Sequence, residues 1–485
     1  MAKRALLLAL LVGAVSFLGF WAYGLFDLDE GFYAAVVGEM NRRGEWITPF
    51  YNGSPWFEKP ILLYWLAKPT VMLFGTALGP RLPSVLASIG TLCLVGWIGK
   101  RKLGENGAIA AVLVLSASLF FSAAGRLMIV DPVLVLCLSA AFFTFYLSLY
   151  EDPRWRLVTA LSLGFSVLAK GPVGLLLFAA LAGTTYWREP LLRPKFKGQW
   201  LAGTALMLLV IASWYLPAYM ANHAQFVQKF LIEQNLDRFT GGDEAHQIGA
   251  IGLLMYPLVL AVGMFPWSLW TRRAAKLDEW PEDQQPFVRY LWRWVLVVLI
   301  FFTISGTKLP HYVLPCTPPL ALLLGGTLAR RSTDRRALFA WLAAAVLIVG
   351  ALVHSGLTWW YGASGKAELD RLALYVKAQP GAKTISAFQM PRRQKSLGTG
   401  KLKIQETSQP SLAFVLDQPL LLTENLDELL ALHQPVWIIT RQGRITTDDV
   451  GLARGSGMAL EDSTPPGDYS NFRLFRLLPI TKREN

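Results

Sequence analysis

The first 358 residues of this chain alternate between long apolar runs and short charged loops. The runs are about 18–22 residues long, enough for a helix to cross the ~30 Å hydrocarbon layer of a bilayer. About eleven candidate spans follow from this pattern. They lie near 5–26, 83–99, 107–124, 129–150, 156–170, 172–187, 200–221, 248–270, 288–305, 311–329 and 336–358. The segment 61–78 is also apolar but carries Lys68-Pro69 at its middle, which predicts an interfacial or re-entrant helix in the loop after the first span. Met1–Arg4 and the run behind them have the outline of a signal peptide. The run lacks a small-residue cleavage site, so an uncleaved first span is expected.

The pattern changes near residue 359. TISAFQM (384–390), SLAFVLD (411–417), PVWIITR (435–441) and NFRLFRLL (471–478) read as short strands. DRLALYVKAQ (370–379) and LDELLALHQ (426–434) read as amphipathic helices. The chain is thus expected to be a polytopic α-helical membrane protein over 1–358, followed by a small α/β domain over 359–485. That second part has no nucleotide fingerprint, no Gly-rich phosphate loop and no Cys/His cluster. Capping the membrane domain and docking an acceptor are its two open roles.

Composition agrees with the spans: 53% of residues are hydrophobic and 16% charged, which excludes a soluble globular protein of this length. The net charge of +13 does not point to nucleic acid, because the basic residues sit in short loops between apolar runs. Loops holding Lys3-Arg4, Lys100–Lys102, Arg154 and Arg156, Arg188–Lys197, Arg272–Lys276 and Arg330–Arg336 form one set, and short basic loops mark the cytoplasmic side. The N-terminus is then inside and the C-terminus outside. The three cysteines, Cys93, Cys137 and Cys316, fall in apolar segments and suggest neither a metal site nor a disulfide framework.

The unusual polar residues collect on the outer side. Asp29, Glu30, Glu58, Lys59, Arg126, Asp131, Lys170, Arg238, His246, Lys308, His311 and Tyr312 all lie in outer loops or at outer span ends. Charge at a membrane surface is costly unless solvated or in use, so one outward-facing site would explain the clustering. Each candidate has a plainer reading. Asp29 is a general base or acceptor-orienting carboxylate, or else a helix N-cap. Glu58-Lys59-Pro60 after Trp56-Phe57 is a phosphate contact, or an interfacial anchor. Asp131-Pro132 pairs with Asp29, or simply starts a helix. Lys170 sits in a tight turn, Ala169-Lys170-Gly171-Pro172, that also reads as a positively charged hairpin. The polar loop 222–247 is a binding loop or lid, and Lys308-Leu309-Pro310-His311-Tyr312 suits an anionic headgroup.

The stretch LDEGFYAAVVGEMNRRGEWITPFYNGSPWFEKPILLYWL (28–66) resembles the opening of bacterial C-type glycosyltransferases. The nearest branch is the 4-amino-4-deoxy-L-arabinose lipid A transferase and protein O-mannosyltransferase-like group. RLPSVL (81–86), GRLMIVDP (125–132), LAKGPVG (168–174), SWYLPAY (213–219), NLDRF (235–239), FPWSL (265–269) and SGTKLPHYVLPCTPPLALLLG (305–325) follow in order, so the resemblance covers about the first 330 residues. It implies a GT-C-like fold in the bacterial inner membrane. The implied reaction moves a sugar from a polyprenyl (undecaprenyl) phosphate donor to a lipid A, glycan or protein acceptor on the periplasmic face. By resemblance Asp29 and Asp131 match catalytic carboxylates. Lys59, Arg238 and Tyr312 match residues that hold the donor phosphate. Glu58 matches a ligand for a divalent metal, the one cofactor implied, with His246 as a candidate partner. Two departures stand out. The acidic pair continues Gly31-Phe32 where the arabinose transferases usually have Pro-Arg, and Gln234-Asn235 stand where a histidine is common. A lipid-linked sugar transporter or flippase is the alternative from another class. It calls for charges deep within spans, whereas the acids here sit at outer ends.

Overall fold

The structure is a computed structural model, and it describes residues 2–27, 29–196, 200–237, 252–381, 383–396 and 403–480. The chain divides into two compact units. The first comprises 1–20, 57–70 and 81–355; the second comprises 21–56, 71–80 and 356–485.

The first unit is helical. Six helices are long and apolar enough to cross a membrane: Leu82–Ser116, Asp131–Tyr150, Leu201–Gln234, Gln285–Ile304, Pro310–Arg331 and Arg335–Ala363, the last running on into the second unit. A seventh is reached by joining Leu254–Gly263 to Trp267–Ala274, which meet at 109°. This makes a multi-pass membrane protein, with fewer long spans among the described residues than the eleven expected. The difference has local causes. Leu82–Ser116 is two arms, because Gly104 takes φ 76, ψ 176 and breaks the helix. The arms fold back on each other, with Gly99 against Ala108 and Gly96 against Val112. These arms match the expected runs 83–99 and 107–124. Ala2–Val15, Trp155–Lys170 and Val173–Arg188 hold only 14, 16 and 16 residues. Gly171, at φ 78, turns the chain between the last two.

Small residues let these helices approach closely, as is common where lipid supplies no hydrophobic drive between helices. Gly325 lies on the backbone of Ala110 and Ala111, Gly174 on Ser166 and Gly203 on Ala160. Two buried arginines hold the chain where the first helix unwinds. Arg81 donates to the Phe20 carbonyl at 2.9 Å, and Arg126 donates to the carbonyls of Ser16 and Gly350. Arg126, expected at the outer surface, is therefore a buried staple.

The second unit joins the first loop to the C-terminal segment. Its strands are β1 (Phe50–Tyr51), β2 (Ser54–Pro55), β3 (Thr384–Phe388), β4 (Pro391–Ser396), β5 (Lys403–Thr407), β6 (Leu421–Thr423), β7 (Val436–Arg441), β8 (Met458–Asp462) and β9 (Phe472–Pro479). One sheet has the order β6-β3-β7-β9-β8, with β6, β3 and β7 parallel and β9 antiparallel to both neighbours. Phe388, Val436, Ile438, Leu460 and Leu477 pack on its covered face with Leu426, Leu429 and Leu430. β1 and β2 form a hairpin whose Asn52-Gly53 turn takes φ 48 and 87, the left-handed pair such turns require.

One expected strand is a helix. SLAFVLD folds as the helix Ser411–Leu416, stopped by Asp417 in the left-handed region. A short apolar run fits either structure, and its neighbours decide. Here the Ser411 amide is met by the Asp27 carboxylate at 2.9 Å, an acceptor 384 positions away.

Candidate active site

The polar residues of the first unit gather where helix ends meet. Asp131 opens the helix Asp131–Tyr150, but Val130 is the N-cap and the carboxylate makes no cap bond. It is 1% exposed and pairs instead with Lys170, Nζ to Oδ1 at 2.5 Å. Lys170 is the last residue of Trp155–Lys170. Each charge thus sits at the helix end whose dipole favours it, the acid at an N-terminus and the ammonium at a C-terminus. His311 Nε2 stands 3.8 Å from Asp131 Oδ2, and Lys59 lies within Coulombic reach of the same carboxylate.

Beside this pair is an open cleft of about 730 Å³, counting the solvent at its mouth. Glu58, Lys59, Lys170, Gln234, Ser305, Thr307 and Tyr312 are its polar lining, and Val173, Leu176, Phe230, Phe301 and Phe302 its apolar lining. Tyr312 comes from the 3₁₀ turn Pro310–Cys316, and its ring lies 4.4 Å from Lys170 Nζ. Two ammonium groups and one carboxylate line the cleft, with Asp131 behind Lys170. Lys308, a further candidate cation, is tied into its own turn by bonds of 2.7 and 2.8 Å to the carbonyls of Thr303 and Ser305.

Lys59, Lys170 and Tyr312 therefore share one cavity, and Asp131 stands behind Lys170. Arg238 and His246 lie outside the described residues. Among the described residues no three His, Cys, Asp or Glu side chains converge as metal ligands. Glu58 shares its wall with two lysines, a surround that suits an anion better than a divalent cation.

Asp29 belongs to the second unit, at the first position of the helix Asp29–Arg43, and is exposed. Glu30, 3% exposed, accepts from the Phe26 amide at 2.9 Å. Asp27 accepts from Ser411. Burial pushes the Asp27 carboxyl above the usual carboxylate range, against the pull of Lys366 and the Ser411 bond. Glu39 accepts from the Gly53 amide at 3.0 Å and pairs with Arg43 at 2.8 Å, holding the hairpin.

Along the sequence Lys170 is one of several outer cations, and Asp27 has no role. The LAKGPVG motif was the available signal for Lys170. For Asp27 there was none, because its partners lie far along the chain.

A multi-pass helical protein with a pocket of mixed charged and apolar lining is one class of molecule; comparison with known proteins narrows it. The profile of the family described as dolichyl-phosphate-mannose-protein mannosyltransferase matches residues 58–216. An uncharacterized protein of Aquifex aeolicus is 33% identical over 335 residues, 68% of this chain and 74% of its own length. An undecaprenyl phosphate-alpha-4-amino-4-deoxy-L-arabinose arabinosyl transferase of Yersinia enterocolitica is 32% identical over 334 residues, 66% of this chain and 58% of that protein. The corresponding transferase of Pseudomonas paraeruginosa is 31% identical, over 64% of this chain and 56% of its own length. The match thus spans little more than half of these named relatives. Among solved structures, ArnT from Cupriavidus metallidurans bound to undecaprenyl phosphate shares the fold, with TM-score 0.76, 19% identity and coverage of 98% and 97% of the two chains. The chain is similar in sequence to these 4-amino-4-deoxy-L-arabinose transferases and, over residues 58–216, to the mannosyltransferase family.

Proposed function

We propose that this protein transfers a sugar from an undecaprenyl-phosphate donor to an acceptor at the periplasmic face, with lipid A the first acceptor to test and glycans and proteins after it. The observation that carries the reading is the mixed lining of one cavity. A polyprenyl phosphate needs cations for its head and apolar surface for its tail, and Lys59, Lys170, Phe301, Phe302 and Leu176 all line one space. The names of the arabinosyl transferases support the donor class. The basic loops support an inside N-terminus and an outside C-terminus. Eleven crossings are reached if both arms of Leu82–Ser116 and the short helices each cross.

In the transfer, an acceptor oxygen forms a bond to the anomeric carbon of the sugar. The bond from that carbon to the phosphate oxygen breaks, and its electron pair leaves with the polyprenyl phosphate. Negative charge grows on the phosphate as it departs. Lys59, Lys170 and the Tyr312 hydroxyl meet it, with Arg238 assigned to the same group by resemblance. Such preorganised cations act where charge develops and are commonly the largest catalytic contribution. Asp131 holds Lys170 in place. Asp29 is assigned the acceptor: it takes the proton of a hydroxyl acceptor, or orients an acceptor phosphate that is already ionised. No step is routed through a metal.

The test is to incubate purified protein in lipid nanodiscs with undecaprenyl-phosphate 4-amino-4-deoxy-L-arabinose and lipid A, and to follow both lipids by mass spectrometry. Donor loss matched by modified lipid A supports the reading. Movement of the intact donor between leaflets without its consumption would make the protein a transporter and end the transferase assignment.

A further inference from the structure

We propose that Asp27 is a positioning residue of the transfer reaction: through it, the C-terminal α/β segment fixes the helix that presents Asp29. This inference rests on the transferase reading above. All the groups involved lie within the second unit.

The helix Asp29–Arg43 has 15 residues, and a helix that short is marginal alone in water. Its place is set by what it leans on, which is Ser411–Leu416. Gly31 and Gly38, seven positions apart and so on one face, make the approach. A side chain at Gly31 would meet Pro410 and the Ser411 amide at 2.9 Å, and one at Gly38 would meet the Phe414 ring at 3.0 Å.

Polar tethers lock this contact at both ends. At the near end, two residues before Asp29, the Asp27 carboxylate takes the Ser411 N–H at 2.9 Å. Lys366 Nζ lies 4.0 Å from Asp27 and pairs with Asp370, which accepts from the Tyr361 hydroxyl at 2.7 Å. At the far end Arg42 pairs with Asp417 at 2.9 Å. Beyond it, the Asn52 side chain both accepts from the Leu420 amide at 2.8 Å and donates to its carbonyl at 3.0 Å. The carboxylate of Asp29 itself is exposed.

Burying Asp27 and Lys366 together is expensive, and side chains of similar volume without charge would pack as well. What the charges add is register: a carboxylate bonded to one particular amide fixes the helix along its axis. For an acceptor-activating group that matters, since a misplacement of about 1 Å costs on the order of 10²-fold in rate.

The experiment compares wild type, Asp27→Ala, Asp27→Asn and Asn52→Ala for donor consumption and for undecaprenyl phosphate binding. Asp27→Ala is expected to lower kcat about 10–100-fold with donor KM and undecaprenyl phosphate binding unchanged. Asp27→Asn keeps an oxygen for the Ser411 amide and should recover most of the loss. Asn52→Ala, which removes no charge, should lower kcat several-fold in the same pattern. Unchanged kcat in Asp27→Ala overturns the inference, and so does a kcat loss matched by lost phosphate binding. If Asp27→Ala does not fold, Asn52→Ala decides, and an unchanged kcat there overturns the proposal. A wild type that consumes no donor sinks the proposed reaction and this inference together; an active wild type with a fully active Asp27→Ala sinks this inference alone.

Discussion

Each unit contains a buried lysine–aspartate pair, and the two pairs are finished differently. In the first unit Lys170 has Asp131 on one side and an open cavity with Lys59 and Tyr312 on the other. In the second, Lys366 lies between Asp370 and Asp27; the Tyr361 hydroxyl donates to Asp370 and the Ser411 amide to one oxygen of Asp27, whose other oxygen has no hydrogen-bond partner among the described residues. The first pair borders a cavity that Lys59 also lines, which puts two ammonium groups where an anionic ligand can reach them. The second joins two distant parts of the chain. A buried ion pair is thus no sign of a binding site by itself; one that borders a cavity is a candidate.

Four experiments would break or sharpen this contrast. The largest effect is expected from Asp29→Asn. Loss of a general base costs about 10²–10⁴ in rate. Since Asp29 is exposed and Asn keeps its shape and can still cap a helix, the melting temperature should stay put. Near-full turnover by this variant would remove Asp29 from the chemistry. Next comes Lys59→Ala, which deletes one cavity cation. A charged hydrogen bond is worth roughly 1.5–3 kcal/mol, so undecaprenyl phosphate should bind about 10–100-fold more weakly, read by titration in nanodiscs. Unaltered binding would mean the cavity is not the phosphate site.

Asp131→Asn should combine a stability cost with a binding cost. Breaking a buried pair by removing one partner typically costs about 3–5 kcal/mol, and Lys170 loses the group that aims it. A lower melting temperature together with weaker phosphate binding is expected. A drop in stability with intact binding would reduce the pair to scaffolding like that of Lys366.

The smallest effect concerns Glu368 in the second unit. Burial pushes its carboxyl up, but bonds from the Asn471 amide and side chain and the Ser470 hydroxyl outweigh that and leave it below its ordinary value of 4.5. A lowered folded value means the stabilisation is complete above the unfolded value and is lost as pH falls through the folded one. Glu368→Gln should therefore flatten the acid limb of the stability curve below about pH 4.5 and leave neutral-pH turnover alone. An unchanged acid limb would mean that other carboxylates govern acid unfolding.

Much was legible along the chain because the signals are local. Apolar runs of span length, short basic loops and alternating strands such as PVWIITR each announce themselves within about 20 residues. Lys59 stood out in the same way, beside Pro60 and after Trp56-Phe57, and Tyr312 as a phenol in the short turn Lys308-Leu309-Pro310-His311-Tyr312. The reversal at Gly104 was legible too, since it falls in the basic loop between the expected runs 83–99 and 107–124. SLAFVLD became a helix because a carboxylate from the first loop waited at its first amide. Asp131 reads along the chain as a cap or a second carboxylate, and its pairing with Lys170 shows only in the structure.

The sequence by itself therefore determined the class of molecule, a multi-pass helical protein with polar chemistry at the ends of its spans. It also determined which residue types were available for an anionic lipid. Periodicity and charge are properties of neighbours in the chain, so they survive without coordinates. Which lysine faces space and which is spent on a joint depends on groups 39 and 384 positions apart, Lys170 with Asp131 and Asp27 with Ser411. No local pattern encodes such distances; packing alone brings those atoms within reach, and so the tertiary structure alone divides binding charge from tethering charge.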